Sequence, residues 1–256
     1  MPHAVAVVTG ASSGIGRATA IRLSRDFAKV VLVARRTKEL ETTADEVRAG
    51  GAEPLVIAAD LSRPDAAELV VGQTLAKFSR IDGLLNIAGA VPGIDLFQMT
   101  DAQWAAGAEL KLHGARRLTL QAWNALKVSR GGVVFMAGIA AESPTAGTAA
   151  VGVINAAIVA LAKAFADKGR QDDVQVNSVS PGAVMTDRRM SMMRQWASVH
   201  GVDIEAAKKI LLEKSGITRY GTPEDIAELM SFLVSPAARW ITGTQIRIDG
   251  GGVRTI

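Results

Sequence analysis

Ala4-Val5-Ala6-Val7-Val8-Thr9-Gly10-Ala11-Ser12-Ser13-Gly14-Ile15-Gly16-Arg17 runs an apolar stretch into a glycine-rich turn and then straight into a helix-like pattern. Gly10, Gly14 and Gly16 are the points where the backbone can turn tightly and approach something large, because glycine tolerates φ > 0 and carries no Cβ. The helix that follows aims unpaired N–H groups and its positive dipole end at that space, which suits a phosphate. A buried strand, a glycine turn and a helix N-terminus together make a dinucleotide site. The spacing is G-x3-G-x-G, and by itself it also fits an ordinary strand-to-helix turn.

Working outward, strand and helix alternate along the chain. Strands are expected over 4–9, 29–34, 54–59, 81–87, 132–137, 174–179 and 245–249. The run Lys29-Val30-Val31-Leu32-Val33-Ala34 is nearly all apolar, as a parallel strand buried on both faces should be. Helices are expected over 14–25, 38–49, 64–78, 101–128 and 147–168. The 101–128 helix opens on a Thr100/Gln103 capping box. Thr222-Pro223-Glu224-Asp225 starts a further helix with an N-cap, a first-position proline and acid in the first turn. Its Ile226, Leu229, Met230 and Leu233 share one face. Residues 183–216 read as irregular and methionine-rich. The pattern predicts an α/β, Rossmann-like doubly wound parallel sheet with helices on both faces, in a single domain spanning 1–256.

Composition narrows the function. With 256 residues and 48% hydrophobic content, one well-buried α/β domain is expected. No cysteine is present, which excludes disulfides and thiolate catalysis, and fits a reducing, cytoplasmic setting. His3, His113 and His200 are too dispersed to suggest a metal site, so no metal is expected. The net charge of +4 comes without any basic run beyond pairs such as Arg35-Arg36, Arg116-Arg117 and Arg188-Arg189, so nucleic acid is not an expected partner. Met1-Pro2-His3 leads directly into the first expected strand, which leaves no room for a secretory signal. The longest apolar stretch, 151–162, contains Asn155 and is too short for a bilayer span.

Several motifs occur in order: Thr9-Gly10-Ala11-Ser12-Ser13-Gly14-Ile15-Gly16, Asp60-Leu61, Asn86-Ile87-Ala88-Gly89, Pro181-Gly182 with Thr186, and Asp249-Gly250-Gly251. In these the chain resembles the short-chain dehydrogenase/reductase family over nearly its whole length. The resemblance implies a nicotinamide cofactor held by Gly10, Ser12, Ser13, Gly14, Ile15, Gly16, Asp60, Leu61, Asn86, Ala88, Gly89, Pro181, Gly182 and Thr186. Asp60 would accept from the adenine amino group; as a plain residue it also reads as a helix cap. NAD-using relatives carry an acid after the second strand to hold the ribose 2′-hydroxyl. Here Ala34 is followed by Arg35 and Arg36, whose guanidinium forks suit a 2′-phosphate, so NADP(H) is expected over NAD(H). The other reading makes both arginines solvated surface charges.

The resemblance also implies a Tyr–Lys pair four residues apart, a serine and an asparagine for proton handling. The Val151-Gly152-Val153-Ile154-Asn155 segment aligns with the tyrosine and lysine, putting Val151 and Asn155 at those positions. Gly138, thirteen positions before Val151, aligns with the serine, and Lys111 in Glu109-Leu110-Lys111-Leu112-His113-Gly114 aligns with the asparagine. Lysine and asparagine have thus exchanged places at two positions that the family fold makes neighbours. A partly buried lysine can titrate low enough to move protons. Lys111 is therefore the candidate catalytic residue, with Ser143, Thr145 or Thr148 nearby. In the other reading Lys111 fills space and pairs with Glu142. The sole tyrosine, Tyr220, reads as a packed surface aromatic.

Residues 187–216 fall where the family has its substrate lid. Met185, Met190, Met192, Met193 and Trp196, with Ile210, Leu211 and Leu212, suit a bulky, small-molecule apolar ligand, or else lid-to-body packing. Helices 101–128 and 147–168 and the 240–256 segment resemble the family's assembly surfaces, implying a homotetramer or homodimer. Two functions follow: an NADP(H)-dependent oxidoreductase acting on an apolar carbonyl or alcohol through a non-standard acid/base, or an inactive NADP(H)-binding homologue serving as sensor, carrier or partner subunit.

Overall fold

The structure, a computed structural model, describes residues 3–254. The leader reading at Met1-Pro2 and the last two residues of the 240–256 surface lie outside the described residues. Seven strands form one parallel sheet in the order β3-β2-β1-β4-β5-β6-β7. They are β1 (Val5–Thr9), β2 (Lys29–Ala34), β3 (Glu53–Ala58), β4 (Gly83–Asn86), β5 (Gly132–Met136), β6 (Gln175–Pro181) and β7 (Gln245–Ile248). The order reverses between β1 and β4, so their C-terminal ends open a crevice there.

Alternation along each central strand explains the continuous apolar runs. Val5 and Val7 of β1, Val31 and Val33 of β2, and Val133 and Phe135 of β5 face one layer of helices. That layer holds α3 (Ala66–Phe78), α5 (Ala115–Ser129) and α6 (Ala149–Asp172). Ala6 and Val8, Val30 and Leu32, and Val134 face the other layer. It holds α1 (Gly14–Leu23), α2 (Thr37–Ala49) and α9 (Pro223–Leu233). Both faces exclude water, so a polar residue in these strands needs internal hydrogen-bond partners, as Thr9 at the end of β1 has. In α9, Ile226, Met230 and Leu233 are buried as the periodicity predicts, and Thr222 accepts from the Asp225 N–H in its capping box.

Three expectations change. The 101–128 helix is divided: α4 (Asp101–Ala108) passes through a π-helical turn, Glu109–Gly114, into α5. Its capping box forms as expected. The 183–216 segment is helical, not irregular: α7 (Asp187–His200) is capped by Thr186 accepting from Arg189 N–H, and α8 (Ile204–Ser215) by Asp203 accepting from Ala206 N–H. Gly201 and Gly216, with φ of 64° and 65°, end them. The apolar stretch at 151–162 belongs to a longer helical run, Ala146–Asp172, long and apolar enough by composition to cross a membrane. In the fold it is a core helix, with Ile154, Ile158, Ala162 and Ala166 buried.

Candidate active site

The cleft begins where β1 ends. Thr9 is buried, and its hydroxyl donates to Leu85 O (3.2 Å) while accepting from Ile87 N–H (2.8 Å) and Ala88 N–H (3.0 Å). This joins the glycine turn to the loop after β4 and sets the width of the crevice. Gly10 (φ 70°) and Gly14 (φ 53°) hold left-handed conformations, and a Cβ on Gly16 would stand 2.2 Å from the Gly10 oxygen. The α1 N-terminus therefore packs directly on the turn, with Ser12, Ser13 and Ile15 bordering the same cleft. The cradle fits a dinucleotide phosphate: a side chain at any of the three glycines would strain or fill it.

Arg35 and Arg36 follow β2 into the cleft. Arg36 donates to the Ser12 and Ser13 hydroxyls (3.2 and 3.1 Å) and pairs with Glu39 at 3.0 Å. Asp60 also borders the cleft, but its carboxylate accepts from the Ser62 hydroxyl (2.8 Å) and backbone N–H (3.1 Å). The Ser62 hydrogen bonds hold its carboxyl below the usual range, with Arg35 and Arg63 adding to the effect. Leu61, Ala88, Gly89 and Thr186 complete the expected lining, and Thr186 Cγ2 lies 3.4 Å from where a Gly14 Cβ would be.

Three expected cofactor residues stand behind that wall. Asn86 is buried and turned inward, its amide donating to Thr119 Oγ1 at 3.0 Å. Pro181 ends β6 against Ile248 of β7, and Gly182 lies against Asp249, where a Cβ would meet the Asp249 Cβ at 2.6 Å. None of the three is among the residues that line the cleft. Residues not singled out from sequence also line it: Val33, Ala59, Leu110, Met136, Asp187 and Arg188. Only their positions at strand ends and at the first turn of the lid could have signalled them.

Of the four positions that align with the family's proton-handling residues, Lys111, Gly138 and Asn155 meet near Gly89. The π-helical turn carries Lys111, whose stem packs on Gly89: a Cβ there would lie 2.9 Å from Lys111 Cδ. Its ammonium donates to Asn155 Oδ1 (2.5 Å) and Ala137 O (2.9 Å). The exchanged pair is therefore in direct contact. Burial, with Arg188 adding repulsion, lowers the Lys111 pKa from 10.5 to about 8. The turn is held to the Asp60-Leu61 loop by Arg117, which pairs with Glu109 (2.5 Å) and donates to Leu61 O and Ser62 O, both at 3.2 Å. π turns recur at functional sites because they displace one side chain from the helical register.

Glu142 is engaged elsewhere, accepting from Gln245 Nε2 at 2.8 Å and pairing with Arg247 at 3.1 Å, so the Lys111–Glu142 pair does not form. Thr145 and Thr148 bond each other (2.8 Å) around a 3-10 turn. Val151 packs into a small apolar cluster with Val91, Ala150 and Ile154. Tyr220 donates its hydroxyl to Lys208 O (2.9 Å) and sits 5.8 Å from the Arg189 guanidinium, inside the lid.

Gly138 belongs to the same unit. Its φ of 157° and ψ of 154° lie in a region that glycine alone occupies comfortably, and a Cβ would stand 2.8 Å from Asn155 Nδ2. Gly138 and Asn155 therefore require each other. Gly138→Ser should destabilise the protein by about 1–3 kcal/mol through crowding. In a double-mutant cycle with Asn155→Ala, the pair should show coupling of about 0.5–3 kcal/mol. Additive melting shifts would contradict the contact.

The enoyl-(acyl carrier protein) reductase family model matches residues 10–252. A 3-oxoacyl-(acyl-carrier-protein) reductase from Synechocystis is 32% identical over 252 residues, covering 97% of this chain and 96% of that protein. The chain belongs to the short-chain dehydrogenase/reductase family. L-sorbose reductase from Gluconobacter frateurii, solved with NADPH and L-sorbose, superposes with a TM-score of 0.94 at 28% identity, covering 100% of both chains. An NAD+-bound xylitol dehydrogenase superposes with a TM-score of 0.90 at 25% identity, covering 97% of this chain and 98% of that one.

Proposed function

We propose that this protein is an NADP(H)-dependent oxidoreductase acting on a carbonyl or alcohol, with Lys111 as its proton-handling group. The observation that carries the reading is the Lys111 ammonium held by Ala137 O and Asn155 Oδ1 just behind Gly89 of the cofactor cleft. When bound, the nicotinamide supplies or accepts the hydride. Gly10, Gly14 and Gly16 would hold its phosphates, Arg35 and Arg36 its 2′-phosphate, and the Ala88-Gly89 backbone would border it. The family relatives solved with NADPH support the cofactor class; the NAD+-bound neighbour leaves the choice to the two arginines.

Two of the three Lys111 N–H groups donate to Asn155 Oδ1 and Ala137 O, so one remains to give a proton to a substrate oxygen brought near Gly89 or to hold it in place. Ile87, Leu110 and Met136 make an apolar floor against which the carbon part of a substrate packs. Lid residue Met193 is buried, whereas Met192 is half exposed. The second reading, cofactor binding without turnover, is favoured by Val151: no hydroxyl replaces it in that apolar cluster. Exposed Leu120 and Val128 on α5 and the fully exposed Trp240 support assembly into a homo-oligomer.

Titration of NADPH and NADH by fluorescence, followed by absorbance across a carbonyl panel, tests the reading. Arg36→Glu should weaken NADPH by roughly 10–100-fold, the worth of a charge-assisted bond lost and a repulsion gained, and leave NADH nearly unchanged. Tighter NADH than NADPH binding in the unaltered protein would contradict the cofactor assignment. NADPH binding with no turnover on any carbonyl would select the second reading.

A further inference from the structure

The lid presents one cation to the cleft whose partners do not explain its presence. Arg188, second residue of α7, borders the cleft at the lid's first turn. Its guanidinium donates to Val91 O (2.5 Å) and, more weakly, to Gly89 O (3.4 Å). Two of its five N–H groups are thus engaged, both by neutral carbonyls, and among the described residues it makes no ion pair. Asp187 beside it also borders the cleft but does not pair with it.

The placement opposes the local field. A cation in the first turn of a helix opposes the helix dipole, which favours anions there. Arg188 also faces Lys111 across Gly89, for both side chains lie against that residue. The repulsion is felt at Lys111. Two cationic side chains therefore stand against one glycine of the cleft, and a carbonyl compound within reach of Lys111 would lie near Arg188. The carbonyl contacts fix the guanidinium plane, so its fork is oriented before any ligand arrives.

We propose that Arg188 selects the substrate, taking a carboxylate carried by the carbonyl compound into its free guanidinium N–H groups. This rests on the oxidoreductase reading above. The carboxylate is not consumed: hydride goes to the carbonyl carbon, the proton to its oxygen, and the acid group only positions the molecule. The substrate class is an oxo acid or the corresponding hydroxy acid, with its apolar portion on the Leu110–Met136 side.

The test uses 2-oxo and 3-oxo acids of four to eight carbons against their methyl esters, which keep the carbonyl and remove the charge. In the unaltered enzyme kcat/KM for an acid should exceed that for its ester by roughly 10–100-fold, the usual worth of a charge-assisted bidentate pair. In Arg188→Gln that ratio should fall to about one, mostly through KM, and Arg188→Lys should restore part of it. NADPH affinity should stay within about threefold throughout. Equal use of acid and ester by the unaltered enzyme overturns the proposal while leaving the oxidoreductase reading intact. A loss of NADPH affinity in Arg188→Gln with the acid/ester ratio unchanged also overturns it, and assigns Arg188 to a cofactor phosphate. If no carbonyl is turned over, a non-reducible carboxylate such as butyrate is titrated into the NADPH complex. Arg188-dependent quenching upholds the anion site while removing the oxidoreductase reading; no quenching removes both.

Discussion

Gly16→Ala should abolish saturable NADPH binding and lower the melting temperature. The new Cβ would stand 2.2 Å from the Gly10 oxygen and 2.5 Å from its carbonyl carbon, and neither can move without opening the turn. Crowding of this kind costs about 1–3 kcal/mol, and backbone neighbours place it at the upper end. For a chain of this size that corresponds to a drop of roughly 5–10 °C. The affinity loss should be larger, because α1 must back away from the turn that cradles the phosphates. Gly72→Ala is the control. It sits inside α3 with nothing within 4 Å of a new Cβ, so it should stabilise by about 0.5–1 kcal/mol through helix propensity. Normal NADPH binding by Gly16→Ala would remove the turn from the cofactor site.

Lys111→Met should lower kcat by about 10²–10⁴-fold, the usual worth of a positioned proton-transfer group. NADPH affinity should stay within about threefold, because Lys111 is not among the residues that line the glycine-turn cleft. The loss should appear in kcat more than in KM, as for a group that acts in the transition state. Stability moves little: methionine removes the desolvation cost of a buried charge, while Asn155 Oδ1 and Ala137 O lose a donor. Unchanged kcat would reassign Lys111 to packing, and the Lys–Asn exchange would then be a structural swap only.

Much of this was legible before the fold. β2 matches its expected bounds because both of its faces are buried, which leaves an unbroken apolar run. The glycine turn was legible because its requirement is local: a backbone conformation and a close approach. The π-helical turn was not, since six residues of altered pitch leave no mark on a periodicity read over several turns. The two lid helices were masked by the arginines and methionines of α7, although the Thr186 and Asp203 caps and the Gly201 and Gly216 stops stand in the sequence. Asn86 turned inward because Thr119, thirty-three positions later, meets it in the core, and such a long-range pairing has no local signal. The Lys111–Asn155 contact was inferred from resemblance alone, and the 2.5 Å separation agrees with it. Arg188 stands in the sequence only as half of a basic pair, and its contacts with Val91 O and Gly89 O, which bring it to the cleft, are long-range.

The pH dependence of carbonyl reduction by NADPH under single-turnover conditions reads out whether Lys111 handles the proton. Reduction needs Lys111 protonated, and its pKa stands at about 8. The rate should therefore be level below pH 8 and fall about tenfold per unit well above it, with alcohol oxidation rising through the same pH. In Lys111→Met the rate should be low and the limb near pH 8 gone. The same limb at full rate in that variant would contradict the account.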